Sequence, residues 1–312
     1  MTPRSSLVSA SWYFKYLGIP LTVGVINIMF NLCRSTQRRL RAALEGKVVV
    51  ITGASSGIGE ALAHAFYEQG SKVVLAARRE TELNRVKNDL ISKNLTLPTE
   101  EPVVILLDLS DLETLEGFIQ KVYDMCGRID ILINNGGISH RGAILHTKFE
   151  VDKKIMSVNY FGAVVLTKAA LPKMVERRSG HIVFVSSVQG LIAIPDRSAY
   201  AASKHAMQAF GDSLRAEMKQ HNIDVTVMSP GYVRTAVSLH ALSGSGEPHA
   251  VMDPNTAAGF SPEYTARKML ESIVRKDKEL VLSQFIPKVT ILLRHSLPSM
   301  YFWVMARRAN KT

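Results

Sequence analysis

The chain has 312 residues, 46% apolar and 21% charged, with 38 Lys plus Arg against 27 Asp plus Glu. This composition excludes a disordered chain, and two cysteines, Cys33 and Cys126, exclude a disulfide scaffold or a cysteine-based zinc site. The formal charge of +11 lies at the ends: residues 1–47 hold seven basic residues and one acid, residues 284–312 hold five and none, and the middle is neutral. A nucleic-acid binder carries its basic face on the folded body, so no nucleic acid is expected as a partner. Basic residues flanking apolar runs point instead to a membrane surface.

In chain order, the first element is an uncharged run of 18 residues, Tyr16–Cys33, led by Trp12, Tyr13, Phe14 and Tyr16. Aromatic residues suit a membrane interface, and about 17–25 apolar residues span a bilayer. No small-residue cleavage site follows Cys33, so residues 1–45 are expected to be an uncleaved anchor and basic linker. Arg34, Arg38, Arg39, Arg41 and Lys47 after the run outnumber Arg4 and Lys15 before it. The positive-inside rule then places the body on the cytosolic side. The membrane is expected to be the endoplasmic reticulum. A lumenal body is the alternative, in which Asn94-Leu95-Thr96 is a usable glycosylation sequon.

Between the ends, residues 46–283 alternate β-branched runs with helical patterns. Strands are predicted at Val48–Ile51, Lys72–Ala76, Val103–Leu107, Ile129–Ile133, His181–Val185, Val225–Met228 and Leu280–Leu282. Crossover helices are predicted at Glu60–Gln69, Asp111–Met125, Asn159–Met174 and Ala199–Gln220. This alternation predicts an α/β fold with a parallel sheet covered on both faces. Residues Tyr232–Phe260 fit neither period, and a loop of that length is functional or mobile as a rule.

Four motifs carry chemistry. Thr52-Gly53-Ala54-Ser55-Ser56-Gly57-Ile58-Gly59 stands between a strand and a helix, where a tight turn and a helix N-terminus can cradle a pyrophosphate. The second strand ends in Ala77, Arg78 and Arg79 with no acid, which favours a ribose 2′-phosphate, and so NADP(H), over a free 2′-hydroxyl. Tyr200 and Lys204 are four apart, on one face of a helix, and Ser187 ends a strand thirteen residues upstream. An ammonium near a phenol lowers its pKa and fits it for proton transfer. Asn159 lies in Ser157–Gly162 between these motifs, and no metal-spaced histidine cluster is present.

The order of the T-G-x-x-x-G-x-G turn, Asn134-Asn135-Gly136-Gly137, Asn159, Ser187 and Tyr200-x-x-x-Lys204 resembles the classical short-chain dehydrogenases/reductases, over residues 46–283. The runs YFGAVVLTKAALPKM, RSAYAASKHAMQAF and VMDPNTAAGFSP resemble that family's membrane-anchored member 7B subgroup. The resemblance implies a Rossmann-type doubly wound sheet of order 3-2-1-4-5-6-7. It implies Tyr200 as the acid or base, Lys204 lowering its pKa and holding the nicotinamide ribose, Ser187 orienting the carbonyl and Asn159 supporting a water relay. It implies Gly53, Ser55, Ser56, Gly57, Ile58, Gly59, Arg78, Asp108, Asn135 and Thr235 as cofactor contacts, with Gly137 standing where the family has alanine. Homo-oligomers through the long helices are a further implication.

The last segment, residues 284–312, is apolar but broken by Pro287 and Pro298. Two short amphipathic pieces, Val289–Leu293 and Met300–Met305, can rest on a bilayer, or pack on the core or on a second subunit. The expected activity is carbonyl reduction or alcohol oxidation on a lipophilic substrate: a steroid, a retinoid or a lipid ketone such as acyl-dihydroxyacetone phosphate. Arg141, after the Asn-Asn-Gly-Gly turn, reads as a solvated loop residue or a contact for an anionic substrate. The alternative to an enzyme is an NADP(H)-binding scaffold or sensor without turnover.

Overall fold

The structure, a computed structural model, describes residues 35–93 and 99–310; the predicted anchor Tyr16–Cys33 and the sequon at 94–96 lie outside the described residues. The chain divides into two compact units between Glu45 and Gly46, the first containing a helix over residues 35–44.

Among the described residues the second unit holds nine strands: β1 (Val48–Thr52), β2 (Lys72–Ala77), β3 (Val103–Leu106), β4 (Ile131–Asn134), β5 (His140–Arg141), β6 (Gly180–Val185), β7 (Ile223–Pro230), β8 (Leu242–Ser243) and β9 (Glu279–Leu282). Seven form one parallel sheet in the order β3-β2-β1-β4-β6-β7-β9. Numbered among themselves, the seven follow the expected 3-2-1-4-5-6-7. The difference lies in β5 and β8, which pair with each other in a separate two-stranded ladder.

The sheet strands carry near-continuous apolar runs in their middles because both faces are covered. Val48, Val50, Val74, Leu132, Phe184 and Val225 share one core cluster with α3 (Leu115–Cys126), α5 (Gly162–Arg177) and α6 (Ser198–Met218). Their alternates Val49, Ile51, Val73, Leu75 and Val183 are fully buried and face the other way. On that side α1 (Gly57–Tyr67) packs along α7 (Pro262–Arg275), with α2 (Glu80–Ser92) beside β2.

The helix predicted over Asn159–Met174 is α5, and it is preceded by α4 (Phe149–Met156) and a π turn, Ser157–Phe161, that joins the two. Among the described residues, the run Phe149–Arg177 is the one helix long and apolar enough to cross a membrane. Its Leu166, Ala170 and Met174 are fully buried in the sheet's core, which accounts for its hydropathy.

The C-terminal pieces are longer than predicted: α8 spans Phe285–Ser296 and α9 spans Pro298–Ala309. Pro287 sits in the first turn of α8 and Pro298 at the start of α9, where a missing N–H is no loss. Pro287 therefore sits in α8 without breaking it, while the run does divide at Pro298 into two pieces, as predicted. Phe285, Ile286, Leu292, Phe302 and Trp303 are exposed, while Tyr301 is buried and ties the pair down through its hydroxyl to Ala193 O at 2.5 Å.

Candidate active site

The carboxyl ends of β1, β4, β6 and β7 open on one cavity of about 770 Å³. Its first wall is the glycine turn. Gly53 (φ +67°) and Gly57 (φ +61°) adopt left-handed backbone that favours glycine. Gly59 allows α1 to approach closely: a Cβ there would stand 2.2 Å from Gly53 O. Asn135 bolts this turn to the next one, donating from Nδ2 to Thr52 O (2.8 Å) and from its backbone N–H to Thr52 Oγ1 (3.0 Å). Ser56, at the N-cap of α1, makes no side-chain cap bond. The helix thus presents unclaimed N–H groups and its positive dipole end, a donor set that fits a pyrophosphate.

The sequence placed Arg78 at the end of β2 as a cofactor contact. In the structure Arg79 makes the bonds to the turn, donating from Nη2 to Ser55 Oγ and Ser56 Oγ, both at 3.0 Å. Arg78 is exposed beside Asp108. Burial pushes the Asp108 carboxyl up, but two hydrogen bonds from Ser110, with Arg78 and Lys154 nearby, outweigh that and hold it low. Sequence reasoning named Arg79 in the cationic end of β2 but assigned the contact to Arg78 alone, since the doubled arginine gave no way to choose between them.

The second wall comes from β6 and α6. Ser187 caps the short turn Val188–Gly190 and its Oγ accepts from Gln189 N at 3.2 Å. Tyr200 lies in the first turn of α6, with Lys204 one turn later. Lys204 Nζ donates to Val185 O at 2.8 Å and stands 5.8 Å from the centre of the Tyr200 ring. Ser186, on the other side of the strand, donates to Lys204 O and holds the helix.

The electrostatics differ from the expectation at one point. Lys204 was expected to lower the Tyr200 phenol. Burial instead pushes Lys204 itself down to about 8. Burial raises the Tyr200 phenol, and the groups that oppose it are the Ser187 hydroxyl, Arg141 and Arg197. A buried ammonium without a counter-charge is costly, so it is the weaker tuner here.

Asn159 sits inside the π turn, where the widened backbone aims its side chain across the fold. Its Oδ1 accepts from Ile138 N (2.8 Å), and its Nδ2 donates to Ile138 O (2.9 Å) and Ser203 Oγ (3.0 Å). The side chain clamps the loop after β4 to α6. A Cβ on Gly137 would meet Asn159 Oδ1 at 3.0 Å, so the smaller residue leaves this clamp unstrained.

Of the residues singled out in the sequence, Gly53, Ser56, Gly57, Ile58 and Asn135 line the cavity, as do Ser187, Tyr200, Lys204 and Thr235. Ser55, Gly59, Arg78, Asp108 and Asn159 do not. The loop Tyr232–Phe260 supplies the outer wall, closed at its base by a bridge between Val233 and Phe260. The arrangement can hold a dinucleotide across the glycine turn and present a phenol, a hydroxyl and an ammonium to a carbonyl beside it.

Comparison with known proteins agrees with this geometry. The family model described as short chain dehydrogenase matches residues 47–243. A dehydrogenase/reductase SDR family protein 7-like from Anopheles gambiae is 53% identical, covering 96% of this chain and 94% of its own length. A dehydrogenase/reductase SDR family member 7B from Xenopus tropicalis is 46% identical over 94% of this chain and 95% of its own. Among solved structures, a short-chain dehydrogenase/reductase from Burkholderia phymatum in complex with NAD superposes with a TM-score of 0.72 at 23% identity, covering 82% of this chain and 95% of that one. An alcohol dehydrogenase from Thermococcus sibiricus complexed with 5-hydroxy-NADP reaches 0.65 at 27% identity, covering 76% and 96%.

Proposed function

The chain belongs to the short-chain dehydrogenase/reductase family, and from that premise we propose a membrane-anchored, NADP(H)-dependent oxidoreductase that interconverts a carbonyl and a secondary alcohol on a lipophilic substrate. The observation that carries this reading is the meeting of Tyr200, Ser187 and Lys204 with the glycine turn in one cavity.

The glycine turn, Thr235 and Asn135 hold the dinucleotide, with Ser55, Gly59 and Asp108 shaping that wall from behind. A bound nicotinamide supplies the hydride in reduction and takes it in oxidation. Ser187 donates to the substrate carbonyl oxygen and orients it. Tyr200 delivers the proton to that oxygen in reduction and removes it in oxidation. Lys204, one helical turn from Tyr200 and anchored on Val185 O, holds the nicotinamide ribose beside the phenol. Asn159 positions α6 against the turn after β4.

Cofactor choice rests on Arg78 and Arg79, two cations at the end of β2 where an NAD site carries an acid. Two charge-assisted contacts to a 2′-phosphate are together worth about 3 kcal/mol, or roughly 100-fold. Replacing both, Arg78→Asp with Arg79→Ala, is expected to raise the NADPH Kd by about that factor and to leave NADH within a few-fold, read by nucleotide fluorescence. Equal loss for both nucleotides would assign the arginines to the turn's structure and not to phosphate selection.

The membrane part of the reading draws on residues 1–45 as anchor and on α8 and α9, which pair exposed Phe302 and Trp303 with Arg307 and Arg308. Aromatic and basic residues together suit an anionic bilayer surface, with the catalytic body on the cytosolic side of the endoplasmic reticulum. The chain has two tryptophans, so Trp12→Phe leaves Trp303 alone. In reconstituted protein, brominated phospholipid should then quench most of the Trp303 emission. Quenching by aqueous acrylamide alone would place α9 away from lipid. A homo-oligomer packed through α5 and α6, as is common in the family, completes the proposal.

A further inference from the structure

Burial disfavours the charged form of Tyr200, and the Lys204 ammonium one turn away is itself pulled down to about 8. A charge that fades there is a poor support for phenolate in the mildly alkaline range, where alcohol oxidation needs one. Two guanidinium groups share the cavity with Tyr200. They belong to Arg141 and Arg197, and both side chains are only 10% exposed. Arg141 is therefore not the solvated loop residue that its place in the sequence allows. A guanidinium keeps its proton through the working range, and burial pulls Arg141 down only to about 10.

The backbone brings both groups to the phenol. Arg197 is the N-cap of α6 and its carbonyl accepts from Ala201 N at 2.8 Å, so Tyr200 lies within the turn that Arg197 opens. Gly142 N donates to Asp196 O at 2.9 Å, which draws the end of β5 beside that turn. Arg141 is fixed further by its Nη1, which donates to Ser139 Oγ (2.7 Å) and His140 O (2.8 Å).

Among the described residues, the carboxylate paired with these cations is Asp253, from the loop Tyr232–Phe260. Its Oδ2 accepts from Arg197 Nη2 and stands 3.8 Å from Arg141 Nη2. Besides these, the cavity wall around Tyr200 carries Lys204 on α6, the Ser187 hydroxyl after β6, Tyr232 and His240 from the loop, and Arg308 from α9. None of them is an anion at neutral pH. Two guanidinium groups thus share one carboxylate and leave a net positive charge beside the phenol.

We infer that Arg197, with Arg141 at its side and Asp253 as counter-charge, is a positioning residue for proton transfer: the triad supplies a positive field at the Tyr200 hydroxyl that persists above neutral pH. This rests on the reading of Tyr200 as the acid or base of the site. Because Asp253 belongs to the loop, the loop's closure on α6 sets how much of that field the phenol feels.

The two partners of the ion pair make opposite predictions. Arg197→Met removes a positive charge and disfavours phenolate, so the rising limb of kcat/KM for alcohol oxidation is expected to move to higher pH by about one unit, the ordinary effect of one near charge. Asp253→Asn removes the negative charge and is expected to move the limb to lower pH by about as much. Asparagine keeps an oxygen for the cap on Asn255 N, so the short helix Pro254–Ala257 stays capped. The double variant should return the limb close to its wild-type position, and Arg197→Lys should stay near it too. Oxidation by NADP+ is followed with a steroid alcohol and with a 1-acylglycerol phosphate, using the one that wild-type protein turns over faster. NADPH affinity, read by fluorescence, reports that each variant is folded.

A clamp without an electrostatic role gives another pattern. Breaking it from either side loosens the same loop, lowers kcat or raises KM in every variant, and leaves the limb in place. That pattern would overturn the inference, as would limbs that move in the same direction for Arg197→Met and Asp253→Asn. If NADPH binds but no alcohol is oxidised, the oxidoreductase reading fails by itself. The triad is then read from tyrosinate absorbance, each protein against its Tyr200→Phe counterpart. Ionisation of Tyr200 should still come at higher pH in Arg197→Met than in Asp253→Asn; coincident titrations would overturn the triad's role as well.

Discussion

Replacing Tyr200 with phenylalanine is expected to lower kcat by about 10³-fold or more while leaving the NADPH Kd within about threefold, because general acid–base catalysis by one positioned group contributes roughly 10²–10⁴. The substitution removes one oxygen and keeps the ring. Lys204 retains its bond to Val185 O, and Ser187 retains its own to Gln189 N, so both partners stay in place. The cofactor wall is built from a different part of the chain, the turn after β1, and does not feel the change. The burial that raises the phenol pKa also means that no water stands in easily for the lost proton donor. Initial rates with a lipophilic ketone and nucleotide titration on the same preparation check both halves. Retained turnover would move the proton-transfer role away from Tyr200; lost NADPH binding would make the residue structural.

Gly59→Ala is the change expected to do most damage for its size. The added Cβ would lie 2.2 Å from Gly53 O and 2.6 Å from Asn135 Nδ2. The first obstacle is backbone and cannot rotate away, so α1 must back off from the end of β1. That movement pulls on Asn135, whose bond to Thr52 O joins the two turns. Overpacking of this kind costs about 3 kcal/mol, and in a domain of this size each kcal/mol is about 2–4 °C in Tm. A fall of about 6–12 °C is expected, with NADPH affinity weakened at least tenfold. Gly117→Ala in α3 is the control, since a Cβ there meets nothing within 4 Å. It should be neutral or stabilise by about 0.5–1 kcal/mol, the ordinary preference of a helix interior for alanine. Scanning calorimetry with and without NADPH separates the two variants. An unchanged Tm for Gly59→Ala would mean that the close approach of α1 to the glycine turn is not maintained in solution.

The legible parts of the chain share a physical reason. The seven sheet strands announce themselves because both faces are buried, which leaves unbroken runs such as Val48–Thr52 that no surface element tolerates. Tyr200 and Lys204 are legible because one helical turn is a fixed spacing. What the sequence hid is long-range. Arg79 reaches Ser55 and Ser56 from more than twenty residues away, and nothing in its neighbourhood distinguishes it from Arg78. The Arg197–Asp253 pair joins α6's approach to a loop 56 residues on. The ladder of β5 and β8 has two residues a side, too short for any period to show. Asn159 was legible as a motif but not in its bonds, since those depend on a π turn that propensity does not encode. Pro287 misled for a local reason: the same residue that stops a helix from within is tolerated in its first turn.

The most direct test of the account is deuterium transfer. Detergent-purified protein is incubated with NADPH deuterated at the nicotinamide C4, on one face and then the other, and with the lipid ketones described above. The account predicts that the alcohol product gains one mass unit from one face alone, that Tyr200→Phe forms no such product, and that NADH serves poorly. Tight NADPH binding with no deuterium in any product would contradict it, and would leave the fold as a cofactor-binding sensor instead of an enzyme.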